Sequence, residues 1–412
     1  MVAGQRIFVA SKIQSRVEVN KKRYRMCSKC VMDSTDTQIK FDRHGVCNHC
    51  REYDYKIKRS TLSPEMLSRE LESIVEEIKR NGSGKEYDCI IGLSGGVDSS
   101  YLAYVVKKKL NLRPLAVHLD NGWDSKLAVK NIHNIVSKLA IDLHTHVIDW
   151  EEFRDLQLSY FKASVINMEV PSDHAIIAVL YKIAEEHHIK YILFGHNQAT
   201  EQTMPRSWTF NTNDLVNLHA IHRKFGTREL KTFPQMGLKK YKYYSNVKKI
   251  IPFYPLNYVR YIKKEAIEII ENELGWKNYG GKHGESVFTK FYQGYILPVK
   301  FHVDKRKAHL STLINSGQIT REDALRELEK KVYQEEELKQ DYEYVIKKFG
   351  LTREQFEELM HLPGKSHFAY PTDRWSKIYR QFYHPYIYPY VLNNPVLFAW
   401  LNKQAEKIEK LI

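Results

Sequence analysis

The sequence contains no apolar run of about 18 residues, so no segment reads as a membrane-spanning helix. Its first 25 residues hold only a short apolar patch, Ile7 to Ala10, with no cleavage-site pattern behind it. No signal peptide and no anchor are expected, and the protein reads as cytoplasmic, with no membrane partner. No block of five like charges, internal repeat or low-complexity tract is present, which excludes solenoid, collagenous and charged-tail architectures. Cysteine is scarce, with five in 412 residues, and four of the five fall between positions 27 and 50. A secreted scaffold would spread paired cysteines along the chain as staples. The fifth, Cys89, sits in an apolar stretch where a buried, inert thiol is expected. Neither a persulfide carrier nor a glutaminase nucleophile is therefore evident, and residue 2 is Val2 rather than a terminal cysteine.

What is present suits a folded protein of two or three domains, with 43% apolar and 27% charged residues. The formal charge of +15 favours polyanionic partners: nucleic acid, nucleotide or anionic sugar. The lysines come in dispersed pairs, such as Lys239-Lys240 and Lys263-Lys264, which also suits a solvated surface. A dedicated nucleic-acid surface is the less favoured reading.

Residues 64–80 carry apolar positions at helical spacing and stop at Asn81-Gly82. The period then changes. Short apolar runs at 87–93, 113–119, 143–148, 190–194 and 247–253 read as strands, and 98–109, 125–139, 151–164 and 174–188 as helices. Such alternation predicts a mostly parallel sheet covered on both faces, with ligands beyond the carboxyl ends of its strands. From about residue 306 the chain reads as helical, ending a long run at Gly350, before a tail dense in tyrosine and proline.

The strongest signal is Ser94-Gly95-Gly96-Val97-Asp98-Ser99-Ser100, between a strand and a helix. Glycines let the backbone approach an anion, N–H groups at a helix start cradle it, and Ser94, Ser99 and Ser100 add hydroxyl donors. Asp98, an acceptor among donors, is expected to hold a Mg²⁺ ion that bridges phosphates. The lysine of the Walker pattern is missing, which argues against γ-phosphate transfer.

Cys27-x2-Cys30 and Cys47-x2-Cys50 form two knuckles whose four thiolates suit a closed, structural zinc site. An iron–sulfur cluster is the alternative. The site is expected to fix the amino-terminal segment against the nucleotide domain.

The loop resembles that of the PP-loop ATP pyrophosphatases. That resemblance implies a HUP-like α/β fold, with a doubly wound sheet, that splits ATP into AMP and pyrophosphate. It extends to Asp120 in 117–123, where members hold adenosine, to Gly195 in Gly195-His196-Asn197, and to 251–256. The four-cysteine ribbon, the loop and Gly280-Gly281-Lys282-His283-Gly284-Glu285-Ser286 together are similar to the N-acetyl sugar amidotransferases of surface-polysaccharide and nonulosonic-acid synthesis. Matching stretches are 27–53, 94–100, 120–132, 171–175 and 280–324, within a resemblance covering 26–365.

The resemblance implies adenylation of the N-acetyl oxygen of a nucleotide-linked sugar, attack by ammonia, and an acetamidino product. Ammonia is then expected from a separate glutaminase through a synthase-like subunit resembling the histidine-pathway pair. The implied cofactors are ATP, Mg²⁺ and Zn²⁺. Lys282, His283, Lys290, Lys300, Lys305 and Arg306 supply cations for the anionic sugar nucleotide. Lys305-Arg306 equally suits a solvated helix start. Asp173 and His174, in a loop entering a helix, suit proton transfer or substrate orientation; an N-cap with a partly exposed histidine fits as well. Glu285 is a candidate acceptor for a proton from ammonia. The expected division is a basic arm (1–25), a zinc ribbon (26–60), the ATP pyrophosphatase domain (61–260), a helical substrate- or partner-binding region (261–365) and the tail (366–412). Two other readings stand beside this one: a tRNA-modifying enzyme of the same superfamily, and a zinc-ribbon binding protein with a degenerate ATPase.

Overall fold

The computed structural model describes residues 24–59, 63–280 and 284–373, with side chains from 56 to 59 left aside. Most of the basic arm, Lys282, His283 and the tail beyond Asp373 lie outside the described residues.

Five parallel strands form one sheet in the order β3-β2-β1-β4-β5: β1 (Cys89–Gly92), β2 (Pro114–Asp120), β3 (Asp142–Val147), β4 (Tyr191–Leu193) and β5 (Ile251–Phe253). The first crossovers run through the helices Val97–Tyr104 and Lys126–Leu139. β1 is central because both its faces are apolar; Ile90 and Ile91 are fully buried, each contributing about 1.5–3 kcal/mol of burial. Edge strand β3 reads DLHTHV and leaves much of itself exposed.

Helices cover both faces. Pro64–Gly82, Val97–Tyr104, Lys126–Leu139 and Lys263–Leu274 pack on one side through Val75, Ile78, Leu102, Ile135 and Ile270. Val170–Glu186 covers the other through Val179, Leu180 and Ile183, and Tyr244 packs on its Tyr181.

Two boundaries differ from the sequence expectation. The fifth strand begins only at Ile251, because 243–247 ends a helix, Leu238–Lys242, in a π turn that docks Tyr244. The helix expected at 174–188 starts at Val170, with a proline in its first turn, where the missing N–H costs nothing.

The carboxyl-terminal region is helical: Arg306–Asn315, Arg321–Glu329, Glu335–Phe349 and Arg353–His361. Capping boxes at Thr320/Asp323 and Thr352/Gln355 start two of these, and Gly350 at φ +71° ends a third.

The cysteine ribbon meets the 61–260 region, where the Ser207 hydroxyl donates to Asp36 (2.6 Å), but that is not its main support. Its main anchors are on the carboxyl-terminal helices, where Arg321 donates to the carbonyls of Cys27 (3.3 Å) and Cys30 (3.2 Å). The Ser311 hydroxyl accepts from the Val31 N–H, and Lys307 pairs with buried Asp33. Sequence order hid this, because residues about 290 apart make the contact.

Candidate active site and four-cysteine centre

The Ser94–Ser100 loop turns at Gly95, whose φ of +79° an L side chain rarely adopts. The hydroxyls of Ser94 and Ser99 lie 3.1 Å apart, Gly96 N–H donates to Ser94 Oγ, and Ser99 and Ser100 both donate to the Gly96 carbonyl. The loop peptide is also held from behind. Trp276 Nε1–H (2.7 Å) and the Tyr279 hydroxyl (2.9 Å) both donate to the Gly95 carbonyl. That carbonyl is thus turned toward the Trp276–Tyr279 segment.

Asp98 stands in the first turn of the following helix. Its Oδ1 accepts from the Tyr261 hydroxyl and from Asn197 Nδ2 (3.4 Å). Gly195 lies so close that a Cβ would come 3.1 Å from the Asp98 carbonyl, so its role is to let β4's loop approach the helix start. Asp120, at the end of β2, accepts from Gly122 N–H and shapes the adjoining turn. Between them His118 bridges the Leu93 carbonyl (2.9 Å) and Asp124 (2.9 Å). Although burial works against charging it, bonding to Asp124 raises its pKa. Trp123 is buried, donates to Gln157 and packs on Trp150, Phe288 and Phe349.

Gly95→Ala adds a methyl 3.1 Å from both the Ala128 carbonyl and the Tyr279 hydroxyl at positive φ. The backbone cost alone is about 1–2 kcal/mol. The expected result is a KM for ATP raised about tenfold or more, measured by pyrophosphate release, with little loss of overall fold.

Glu285 meets the loop from the other side. Its carboxyl lies 3.6 Å from where a Cβ on Gly96 would be, and its carbonyl accepts from Ser125 N–H (2.8 Å). The strand-like pair Asp124–Ser286 and the Val287 N–H bond to Trp123 fix this segment over the end of β2. Its helical continuation brings Tyr292 and Gln293 to the start of the helix Val170–Glu186.

At that helix start, Glu169 accepts from Gln293 Nε2 (3.1 Å) and faces Lys305 Nζ at 3.5 Å. Asp173, one turn on, is solvent-exposed, although much of the protein also lies around its carboxyl. Burial first, and Glu169 second, push its pKa up to about 7. Neighbouring His174 points the other way. It is fully buried, with Nδ1 on the Thr212 carbonyl (2.7 Å) and Nε2 accepting from Met236 N–H (3.0 Å). Its ring positions backbone instead of lying partly exposed beside Asp173.

The expected cation cluster is dispersed. Lys290 pairs with Glu337 and Asp341. Arg306 binds Asp304 and the carbonyls of Glu327, Leu328 and Lys330, closing the helix Arg321–Glu329. Lys300 caps another helix through Leu359, Met360 and Leu362, and burial lowers its pKa to about 8. Lys305 alone of the four pairs with Glu169 at the start of the helix Val170–Glu186.

Cys27, Cys30, Cys47 and Cys50 are fully buried, their sulfurs all within 4.8 Å of one another. The pairs 27–50, 30–47 and 47–50 are separated by 3.9, 3.7 and 3.7 Å. Backbone N–H groups of Lys29, Cys30 and Cys47 point at Cys27 Sγ. Four sulfurs so placed suit a shared metal ion. Cys89 is buried at the sheet, and burial raises its thiol pKa.

Residues 66–205 match the NAD synthase family, and residues 285–383 match a family described as LPS biosynthesis protein WbpG-like, C-terminal domain. An uncharacterized protein of Methanocaldococcus jannaschii is 25% identical over 315 residues, spanning 74% of this chain and 93% of that protein. The tRNA-specific 2-thiouridylase MnmA 2 of Fusobacterium nucleatum is 26% identical over 139 residues, 32% of this chain and 39% of its own. A glutamine-hydrolyzing GMP synthase subunit of Methanococcus vannielii is 30% identical over 154 residues, 37% of this chain and 45% of its own.

Proposed function

Taking as premise that this chain belongs to the PP-loop ATP pyrophosphatases and ends in a domain of the LPS-biosynthesis type, we propose that it converts an N-acetyl group of a nucleotide-linked sugar to an acetamidino group. One observation carries the reading: the polysaccharide-type region begins at residue 285, and Glu285 lies against Gly96 of the phosphate loop. That proximity supports one site shared by the phosphate loop and the carboxyl-terminal region.

An amide oxygen leaves poorly until AMP is attached, so ATP must first be cleaved between its α- and β-phosphates. The loop N–H groups from Ser94 to Ser100 hold the departing pyrophosphate, and Trp276 and Tyr279 fix the Gly95 peptide for that task. Mg²⁺, when bound at Asp98, supplies neutralisation of the phosphate charge. Asp120 and the turn near Gly195 bound the nucleotide side. Lys282 and His283 are assigned to the anionic sugar nucleotide, as Lys290 and Arg306 are tied to their own acids.

The cysteines fit zinc. A single Zn²⁺ held by thiolates about 2.3 Å away sets the sulfurs about 3.8 Å apart, whereas a cluster gives each cysteine its own iron and spreads them. With Cys89 buried and the other four gathered at one centre, ammonia is assigned to a separate glutaminase and its synthase-like delivery subunit. Compartment is read as cytoplasmic; no helix among the described residues is long and apolar enough to cross a membrane.

Purified protein with ATP, Mg²⁺, ammonium and the matching nucleotide-sugar is expected to release AMP and pyrophosphate in step with amidine. Release of ADP would overturn the mechanism. The likeness to a thiouridylase keeps tRNA modification as the second reading; sulfur incorporation into tRNA, without sugar-dependent AMP, would establish it instead.

A further inference from the structure

We infer that His118 is a positioning residue for the ATP site, an imidazolium clamp that holds the entry of the phosphate loop and the segment carrying Glu285 at one fixed spacing. The inference rests on Ser94–Ser100 being the loop that grips ATP, and adds to it the group that sets the loop's base.

The ring's two contacts decide its protonation. His118 lies near the end of β2 and is 8% exposed. Its Nδ1 is 2.9 Å from the Leu93 carbonyl, the peptide group that leads into Ser94. Its Nε2 is 2.9 Å from Asp124 Oδ2. A carbonyl and a carboxylate can only accept, and a neutral imidazole has one N–H to give. Serving both takes the doubly protonated ring, with the Asp124 carboxylate as balancing charge. Turning the ring over offers no escape, because carbon would then face both oxygens. Burial opposes the charge, but the bonds to Asp124 and to the Leu93 carbonyl outweigh it and hold the ring's pKa above its ordinary value.

The clamp joins two parts of the site. Leu93 N–H donates to the Val117 carbonyl (2.9 Å), so the end of β1 is already paired with β2 where the ring crosses. Beyond the ring, Asp124 pairs with Ser286, and Ser125 N–H donates to the Glu285 carbonyl (2.8 Å). The Glu285 carboxyl in turn lies by Gly96. Ser125 also caps the helix Lys126–Leu139, whose Ala128 carbonyl packs at Gly95. With no Walker lysine, anion binding depends on where the loop's N–H groups point, and His118 fixes the peptide from which they start.

The pH dependence follows from the groups around the ring. Asp124 in the next turn and Asp120 on its own strand favour its charge. The segment paired with Asp124 adds Glu285, β1 gives the Leu93 carbonyl, and β3 sets neutral Thr145 beside His118 in register. Losing one proton removes one of the two donors. The clamp is therefore complete at low and neutral pH and fails as pH rises through the raised pKa of the folded protein.

The test follows ATP affinity of the full-length protein by equilibrium titration from about pH 6 to about pH 9, beside thermal unfolding. In the wild type the Kd for ATP is expected to rise about tenfold along an alkaline limb that lies above the ordinary imidazole range. His118→Gln, whose amide oxygen cannot donate, should raise the Kd about tenfold at neutral pH and show no such limb. Asp124→Asn is the discriminating variant. Its amide can donate to Nε2 of a neutral ring while Nδ1–H keeps the Leu93 carbonyl, so both bonds return without charge. It should bind ATP about threefold or more tightly than His118→Gln, again without the alkaline limb. Spectra of ¹⁵N-histidine-labelled wild type at neutral pH should show both His118 ring nitrogens protonated, the signal being assigned by its loss in His118→Gln. A neutral His118 ring overturns the inference, as does wild-type ATP affinity and pH profile in His118→Gln. An alkaline limb that persists in both variants, with Tm lowered in each, marks a merely structural ring and overturns it too. Failure of the ATP-site reading looks different: the wild type then binds no ATP at any pH, and the inference falls with it.

Discussion

Asp98→Asn is expected to lower AMP and pyrophosphate formation by about a thousandfold while leaving the fold intact. The triphosphate brings several negative charges to a loop that offers N–H and hydroxyl dipoles, and Asp98 is the carboxylate in its helix start. Its anionic form suits a bridging cation; the amide of Asn does not. Losing one preorganised electrostatic contact of this kind costs about 10²- to 10³-fold, and the cation it holds adds to that. The structural effect is small for a stated reason. Asn keeps an oxygen for the Tyr261 hydroxyl and Asn197 Nδ2, the two donors that hold Asp98 Oδ1. Tyr261 is buried, and burial with the Asp98 charge raises its phenol pKa, so it stays a donor in both proteins. Pyrophosphate release measured beside thermal unfolding separates the two effects. Activity within tenfold of wild type would remove Asp98 from the site.

The phosphate loop was legible because its chemistry is local: glycine, serine and aspartate within seven positions between a strand and a helix. The parallel sheet was legible for a similar reason, since apolar runs alternate with helical periods. What escaped depends on contacts across the chain. Trp276, Tyr279 and Tyr261 reach the loop from 163 to 184 residues away, and no short pattern marks them. The same holds for Glu169 and Gln293, brought together across 124 residues.

Adjacent residues misled in another way. Asp173 and His174 read as a functional pair, but on a helix successive side chains diverge by about 100°. One is therefore exposed and the other faces the core. The basic stretch from Lys290 to Arg306 read as one cluster because spacing does not show partners. Asp341, Glu337 and Asp304 take two of its cations, and backbone carbonyls take a third.

Removing the metal from the four-cysteine centre is expected to have the largest effect on stability. The four thiols are packed within 4.8 Å with no water-exposed surface, and protonated they would crowd sulfur against sulfur with only weak hydrogen bonds. As thiolates they need a compensating cation, because buried like charges repel strongly. Binding energies for such centres run to about 10–16 kcal/mol at neutral pH, comparable with the whole stability of a domain. Here the consequence spreads beyond the ribbon. The cysteines share a core with Phe291, Ile296 and Ala308, and their carbonyls anchor Arg321. A strong chelator, or Cys47→Ser, is therefore expected to lower Tm by more than about 10 °C. It should also expose backbone amides in both 27–50 and 306–329 to hydrogen exchange. Acidification should act in the same direction, since protons compete with the metal for thiolate. Elemental analysis should find about one zinc per chain in the native protein and far less in Cys47→Ser. Iron with visible absorbance would reject zinc, and an unchanged Tm after complete metal removal would reject a structural role for the centre.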